Sequence, residues 1–247
     1  MKICIMGNSV GFKLRPPRQS ASEMTYSEIL ETQGHHVRNI SKAGVMLNEA
    51  FALLDDELIT FFPDLVIIHF GTVEVCYRQS LRWLNNRCIR NYYLNHVYAR
   101  HYTFDGPVQR LLGFINAGLN FATREAAEFV GLKWQWLSEQ KFSTVLRATL
   151  QSILKETRAR IIVIGITPCS PRVERILKGS GERIQAANLA MQELVAQFPK
   201  RTCYLDPCVF LNEENLPTLA PDGIHFSAAG HRLMADAITK VLKTSPE

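Results

Sequence analysis

Long apolar runs are missing from this chain. No stretch approaches the roughly 18 consecutive apolar residues of a membrane-spanning helix, so none is expected. The run Ile3–Met6 is too short for the apolar part of a secretory leader and ends directly in Gly7. It reads as a first strand, and the expected location is cytoplasmic. The six cysteines form no C-x-x-C pair. Cys4, Cys169 and Cys203 lie in or beside apolar runs, where a free thiol behaves as a small hydrophobe. Reduced thiols are expected. Ligands clustered at zinc-binding spacings are absent too, so neither a metal nor another cofactor is expected. Internal repeats and low-complexity tracts are lacking, which argues against a repeat architecture.

A large excess of one charge is also missing. The formal net charge is +5. It is unevenly placed, because residues 77–147 hold ten Lys and Arg against four Asp and Glu. The basic character belongs to one segment. That segment interleaves Arg78, Arg82, Arg87 and Arg90 with Trp83 and Tyr92. Such a stripe can face an anionic surface or substrate, and no obligate nucleic-acid partner is expected from it.

What is present is a chain of 247 residues, 47% of them apolar. A chain of this length buries roughly 70–75% of its unfolded surface and needs no staples. One domain over 1–247 is expected. Five short apolar segments read as strands: Lys2–Met6, His36–Ile40, Leu65–Phe70, Arg160–Ile166 and Thr202–Asp206. Leu65–Ile68 and Ile161–Ile164 are apolar without alternation, as central parallel strands covered on both faces are. Helical spacing predicts helices over Ser22–Gln33, Leu47–Thr60, Glu182–Phe198 and Ser227–Lys243. Alternating strands and helices point to a three-layer α/β/α fold. Its core is a five-stranded, mostly parallel, doubly wound (flavodoxin-like) sheet.

The stretch from about 77 to 142 is longer than a strand-to-helix connection requires. It contains all three tryptophans, Trp83, Trp134 and Trp136. A mostly helical insertion after the third strand is expected, serving either as extra core and a partner surface or as a lid and substrate wall.

In doubly wound sheets, function collects in the loops that leave the carboxyl ends of the strands. The first such loop is Gly7-Asn8-Ser9-Val10-Gly11, a serine held between glycines at a strand-to-helix turn. The second contains Gly44, whose amide can approach a ligand closely. The third is Gly71-Thr72-Val73-Glu74. The last, before the final helix, is Asp222-Gly223-Ile224-His225. A hydroxyl nucleophile needs a base, and the base needs an orienting carboxylate. Ser9, His225 and Asp222 supply one of each. His35-His36 opens a strand and reads as structural or exposed. Gly179-Ser180-Gly181 reads as a flexible loop that could border the site.

On these blocks the chain resembles the SGNH (GDSL-like) hydrolase family. Gly7-Asn8-Ser9 stands where that family more often has Gly-Asp-Ser, the Gly44 loop matches its second block, and Asp222-x-x-His225 its last. The resemblance covers about 1–75 and 150–247. It implies acyl-ester chemistry without metal, with Ser9 as nucleophile, His225 as general base and Asp222 as its orienter. It also implies an oxyanion hole built partly from the amides of Ser9 and Gly44. The third block departs from the pattern: Val73 stands where the family has an Asn whose side chain completes the hole. Thr72 or Asn8 could replace that donor, with Gly71 beside them.

The expected activity is ester hydrolysis on a small-molecule or carbohydrate-like substrate. Two alternatives stay open: O-acyl transfer through the same triad, and a catalytically weakened binding protein of the same fold.

Overall fold

The computed structural model describes residues 1–11, 23–42, 45–52, 57–76, 122, 126, 129–131, 135 and 137–244. The chain divides into two compact units, Met1–Cys76 with Trp136–Glu247, and Tyr77–Gln135. Nearly all of the second unit, with the expected helical insertion and its basic stripe, lies outside the described residues.

Five parallel strands build the first unit: β1 (Lys2–Gly7), β2 (His36–Asn39), β3 (Leu65–His69), β4 (Arg160–Ile164) and β5 (Thr202–Leu205). They lie in the order β2-β1-β3-β4-β5. The register sets Ile5 beside Ile67 and Ile67 beside Ile162. Each of the three central strands contributes side chains to both faces, because successive residues of a strand point to opposite sides. Cys4, Met6, Val66, Ile68, Ile161 and Val163 join one buried cluster. Ile3, Ile5, Leu65, Ile67, Ile162 and Ile164 join the other. Both faces are therefore covered, and the sheet is the middle of three layers.

The helices are α1 (Tyr26–Thr32), α2 (Leu47–Phe51), α3 (Thr72–Val75), α4 (Glu139–Glu156), α5 (Pro171–Ile176), α6 (Ser180–Val195), α7 (Leu216–Leu219) and α8 (Ala228–Thr244). Among these described helices, α2, α4 and α6 cover the first cluster, and α1 and α8 the second. None is long and apolar enough to cross a membrane.

Several bounds differ from the sequence expectation. Helix α1 starts at Tyr26, where Glu28 turns back to accept a hydrogen bond from the Thr25 N–H at 2.8 Å. This is the acidic half of a capping box. Within the expected helix Leu47–Thr60, Leu47–Phe51 is α-helical, Glu57 and Leu58 are π-helical and a 3₁₀ turn follows at Ile59–Phe61, while residues 53–56 lie outside the described residues. Phe62, at φ 50°, closes that turn ahead of Pro63. Helix α4 was not anticipated. It carries Phe142, Leu146, Leu150 and Ile153 into the core at spacings of three and four, taking Phe142 out of the supposed insertion.

Candidate active site

The carboxyl ends of β1 and β3 approach closely. A side chain at Gly7 would place a Cβ 2.8 Å from the His69 carbonyl oxygen, so only glycine lets β1 continue into its loop there. Beyond it the chain turns tightly. Gly11 donates its N–H to the Asn8 carbonyl oxygen, and the Val10 N–H donates to Asn8 Oδ1 at 3.2 Å. Ser9 sits at the top of this turn. Among the described residues its own N–H has no hydrogen-bond partner.

The partners arrive from the other end of the chain. Ala220 accepts the Gly223 N–H at 2.8 Å, closing a turn after α7. Gly223 adopts φ +81°, and a side chain there would run into Ser170 Oγ and Val173. Asp222 Oδ1 accepts the N–H groups of Ile224 at 2.8 Å and His225 at 2.7 Å. The next residue, Phe226, is fully buried and anchors the turn to the core. The Asp222-to-His225 spacing thus closes a small ring in which the carboxylate is fixed by backbone before it meets the imidazole.

That meeting is short. Asp222 Oδ2 lies 2.6 Å from His225 Nδ1, and His225 Nε2 lies 2.9 Å from Ser9 Oγ, across 216 positions of sequence. An ionised carboxylate only accepts hydrogen bonds, so Nδ1 carries the proton and donates it. Nε2 is then the acceptor for the Ser9 hydroxyl. Burial alone would raise the Asp222 pKa. The hydrogen bonds from the His225 ring and from the two amides outweigh it and hold the carboxyl below its ordinary value. Ser9 and His225 are buried, and the Asp222 side chain is 30% exposed.

The remaining candidates fall as follows. Gly44 lies outside the described residues. Gly71 adopts φ +128° with Ile166 packed against it. Its N–H donates to Glu74 Oε2 at 2.9 Å, so this amide is already engaged. Thr72 opens α3 half-buried, and its hydroxyl makes no hydrogen bond among the described residues. Asn8 is 1% exposed, and its Nδ2 is enclosed without a partner. Val73 is half-buried beside Thr72 and offers no side-chain donor. His36 lies at the amino end of β2, the opposite edge of the sheet, against the Phe61 ring. The loop at Gly179–Gly181 is tied down, since Glu174 accepts the N–H groups of both glycines. Among the described residues, no group of three His, Cys, Asp or Glu side chains is placed to hold a metal ion.

The sequence pattern of the GDSL-like lipase/acylhydrolase family matches residues 5–233. The chain belongs to that family. It is an enzyme of the SGNH ester-hydrolase type, and the three-layer fold is the one such enzymes share. Axe2, an acetylxylan esterase from Geobacillus stearothermophilus, superposes with a TM-score of 0.57 at 15% identity. The match covers 97% of this chain and 92% of Axe2. An acetyl xylan esterase, AlAXEase, gives 0.59 at 14% identity over 98% and 100% of the two chains. A GDSL-like lipase from Bacteroides thetaiotaomicron gives 0.59 at 14% identity over 98% and 87%. At such identities the likeness shows the fold. No curated protein matches the chain in sequence.

Sequence reasoning missed two buried polar residues near the GDSL-like blocks. Glu74 reads in the sequence only as part of the third block, although an acid three residues after a turn glycine is a capping signal. His69 was hidden at the end of an apolar strand. It is 3% exposed, and its Nδ1 lies 3.4 Å from the Tyr26 hydroxyl, long for a hydrogen bond. Burial, and then the neighbouring His231, push its pKa down to about 3. An unfolded histidine takes up its proton near pH 6.5. Between those values the unfolded chain binds more protons than the native one, so His69 withdraws stability as pH falls through that window. His69→Gln, which keeps an acceptor for Tyr26, is expected to flatten the loss of urea stability between pH 7 and 4. An unchanged slope would mean that His69 is not held neutral.

Proposed function

We propose that the protein hydrolyses an acyl ester of a small-molecule or carbohydrate-like alcohol through an acyl-enzyme on Ser9. The observation that carries this reading is the unbroken chain from Asp222 through His225 to Ser9 Oγ, at 2.6 and 2.9 Å. Ser9 Oγ attacks the ester carbonyl carbon while His225 Nε2 takes its proton. The tetrahedral oxyanion collapses, the alcohol leaves with the proton from His225, and the acyl group stays on Ser9. Water then enters, gives its proton to His225 and attacks the acyl carbon. Ser9 recovers its proton as the acid departs. Acetylxylan esterases are among the solved structures of similar fold, which favours a small acyl group on a sugar hydroxyl. Incubation with a fluorophosphonate, followed by peptide mapping, tests the reading. The label is expected on Ser9, and a label elsewhere or none at all overturns it.

The oxyanion requires donors where charge develops. The free Ser9 N–H is one, and the family pattern assigns another to Gly44. Thr72 is the candidate for the donor that Val73 lacks, because the residue is partly exposed and its hydroxyl makes no hydrogen bond among the described residues. Asn8 Nδ2 is equally uncommitted but enclosed, and a donor must present surface to meet the substrate. Thr72→Val is therefore expected to lower kcat about 10²- to 10³-fold, roughly 2–4 kcal/mol of transition-state stabilisation, at nearly constant KM. Asn8→Ala is expected to shift Tm more than kcat, and Val73→Asn to leave kcat level or lower it. A Thr72→Val enzyme as fast as the parent would remove Thr72 from the hole.

A further inference from the structure

Glu74 is a carboxylate with no exposed surface at all. Buried acids are rare and are retained where their hydrogen bonds hold something in place. Oε1 accepts the Leu47 N–H at 2.9 Å, and Oε2 accepts the Gly71 N–H at 2.9 Å. One side chain on α3 therefore joins the start of α2, which follows the loop after β2, to the loop after β3. We infer that Glu74 is a positioning residue for the oxyanion side of the site, setting the spacing between the loop that carries Gly44 and the loop that carries Thr72. This rests on the ester-hydrolase reading above.

The loop after β2 is held at both ends. At its start Lys42 donates its N–H to the Gly7 carbonyl oxygen at 3.1 Å, on the strand that leads to Ser9. At its end Leu47 is held by Glu74. The loop after β3 is fixed by the second oxygen of the same carboxylate, which binds Gly71 immediately before Thr72. The Gly71 carbonyl returns the contact by accepting the N–H groups of Glu74 at 3.1 Å and Val75 at 2.9 Å. The residue that ends the loop after β2 and the residue that precedes Thr72 are thus tied to one carboxylate. Oxyanion donors act by standing ready where charge appears, and a displacement of about 1 Å can cost on the order of 10² in rate. Glutamine at position 74 keeps the shape but has a single acceptor oxygen, so it can serve Leu47 or Gly71 and not both.

The test compares the parent with Glu74→Gln in three measurements. These are kcat and KM for p-nitrophenyl acetate, the Kd of phenylboronic acid as a tetrahedral analogue, and the rate of Ser9 labelling by a fluorophosphonate. The expected result is a fall of about 10- to 100-fold in kcat, in boronate affinity and in labelling rate, with KM within about threefold. A purely structural role would lower Tm and leave boronate affinity and kcat of the folded protein at the parent values, which overturns the proposal. If Glu74→Gln does not fold, Glu74→Asp is held to the same criteria, and the parent is examined directly by amide NMR. There the Leu47 and Gly71 resonances are expected to shift when boronate binds, and their indifference overturns the proposal. A parent that is never labelled on Ser9 sinks the ester-hydrolase reading and this inference with it. A parent and variant labelled at equal rates sink the role of Glu74 alone.

Discussion

Ser9→Ala is expected to remove turnover of p-nitrophenyl acetate by about 10⁵- to 10⁶-fold while leaving Tm close to that of the parent. The size follows from the role. Without Oγ there is no acyl-enzyme, and the remaining rate is what the oxyanion donors and substrate binding supply to direct attack by water. The fold is expected to survive because the turn is held by backbone and Asn8 contacts: Asn8 N–H to the His69 carbonyl, Gly11 N–H to the Asn8 carbonyl, and Val10 N–H to Asn8 Oδ1. None of these uses the serine hydroxyl. His225 then loses its contact at 2.9 Å. Steady-state kinetics beside a thermal melt decide the matter. A variant that keeps more than a few per cent of parental kcat means that another group attacks the ester.

Asp222→Asn is expected to lower kcat about 10⁴-fold. Asn at this position can still accept the two amides of Ile224 and His225 through its oxygen, so the turn keeps its shape. What changes is the atom facing His225. Oδ2 accepts the proton on Nδ1 at 2.6 Å. An NH₂ group in its place is a donor, and it favours the imidazole tautomer with the proton on Nε2. That nitrogen can no longer take the proton from Ser9. The expected signature is a collapse of kcat with a small change in Tm, measured on the same ester. A loss of less than tenfold would mean that Asp222 orients the loop without selecting the tautomer. The same geometry bears on pH. Asp222 is held below the ordinary carboxylate range, so it stays ionised across neutral pH and is not the source of an acid limb there.

Much of the sheet is legible in the sequence. The strands announced themselves because a central parallel strand is apolar on both faces: Val66-Ile67-Ile68 and Ile161-Ile162-Val163 show no alternation. The candidate triad was legible because nucleophile, base and orienting carboxylate admit few residue types. The Asp222–His225 spacing is also local, three residues around a turn that one glycine permits. Boundaries were less legible. Helix α4 follows an aromatic stretch, and its first core residue, Phe142, reads as the tail of that stretch, although the later spacing of Leu146, Leu150 and Ile153 is helical. The expected helix Leu47–Thr60 ends in a 3₁₀ turn at Ile59–Phe61 instead of an α-helical turn, a distinction that apolar periodicity does not register.

From the residues alone came the fold class, the order of the strands along the chain and the choice of Ser9, His225 and Asp222 as candidates, because periodicity and reactivity are properties of short segments. Tertiary structure alone decided which backbone donors remain uncommitted. Among the described residues the Gly71 amide is engaged and the Ser9 amide is not, and the first depends on where the Glu74 side chain turns. It also decided that Glu74 and His69 are fully enclosed, so that one acts as a bridge between loops and the other is kept neutral. The other partners lie tens to hundreds of positions away, Leu47 for Glu74 and His225 for Ser9. The 2.9 Å between Ser9 and His225 exists only because the sheet brings the carboxyl end of β1 beside the loop that precedes α8.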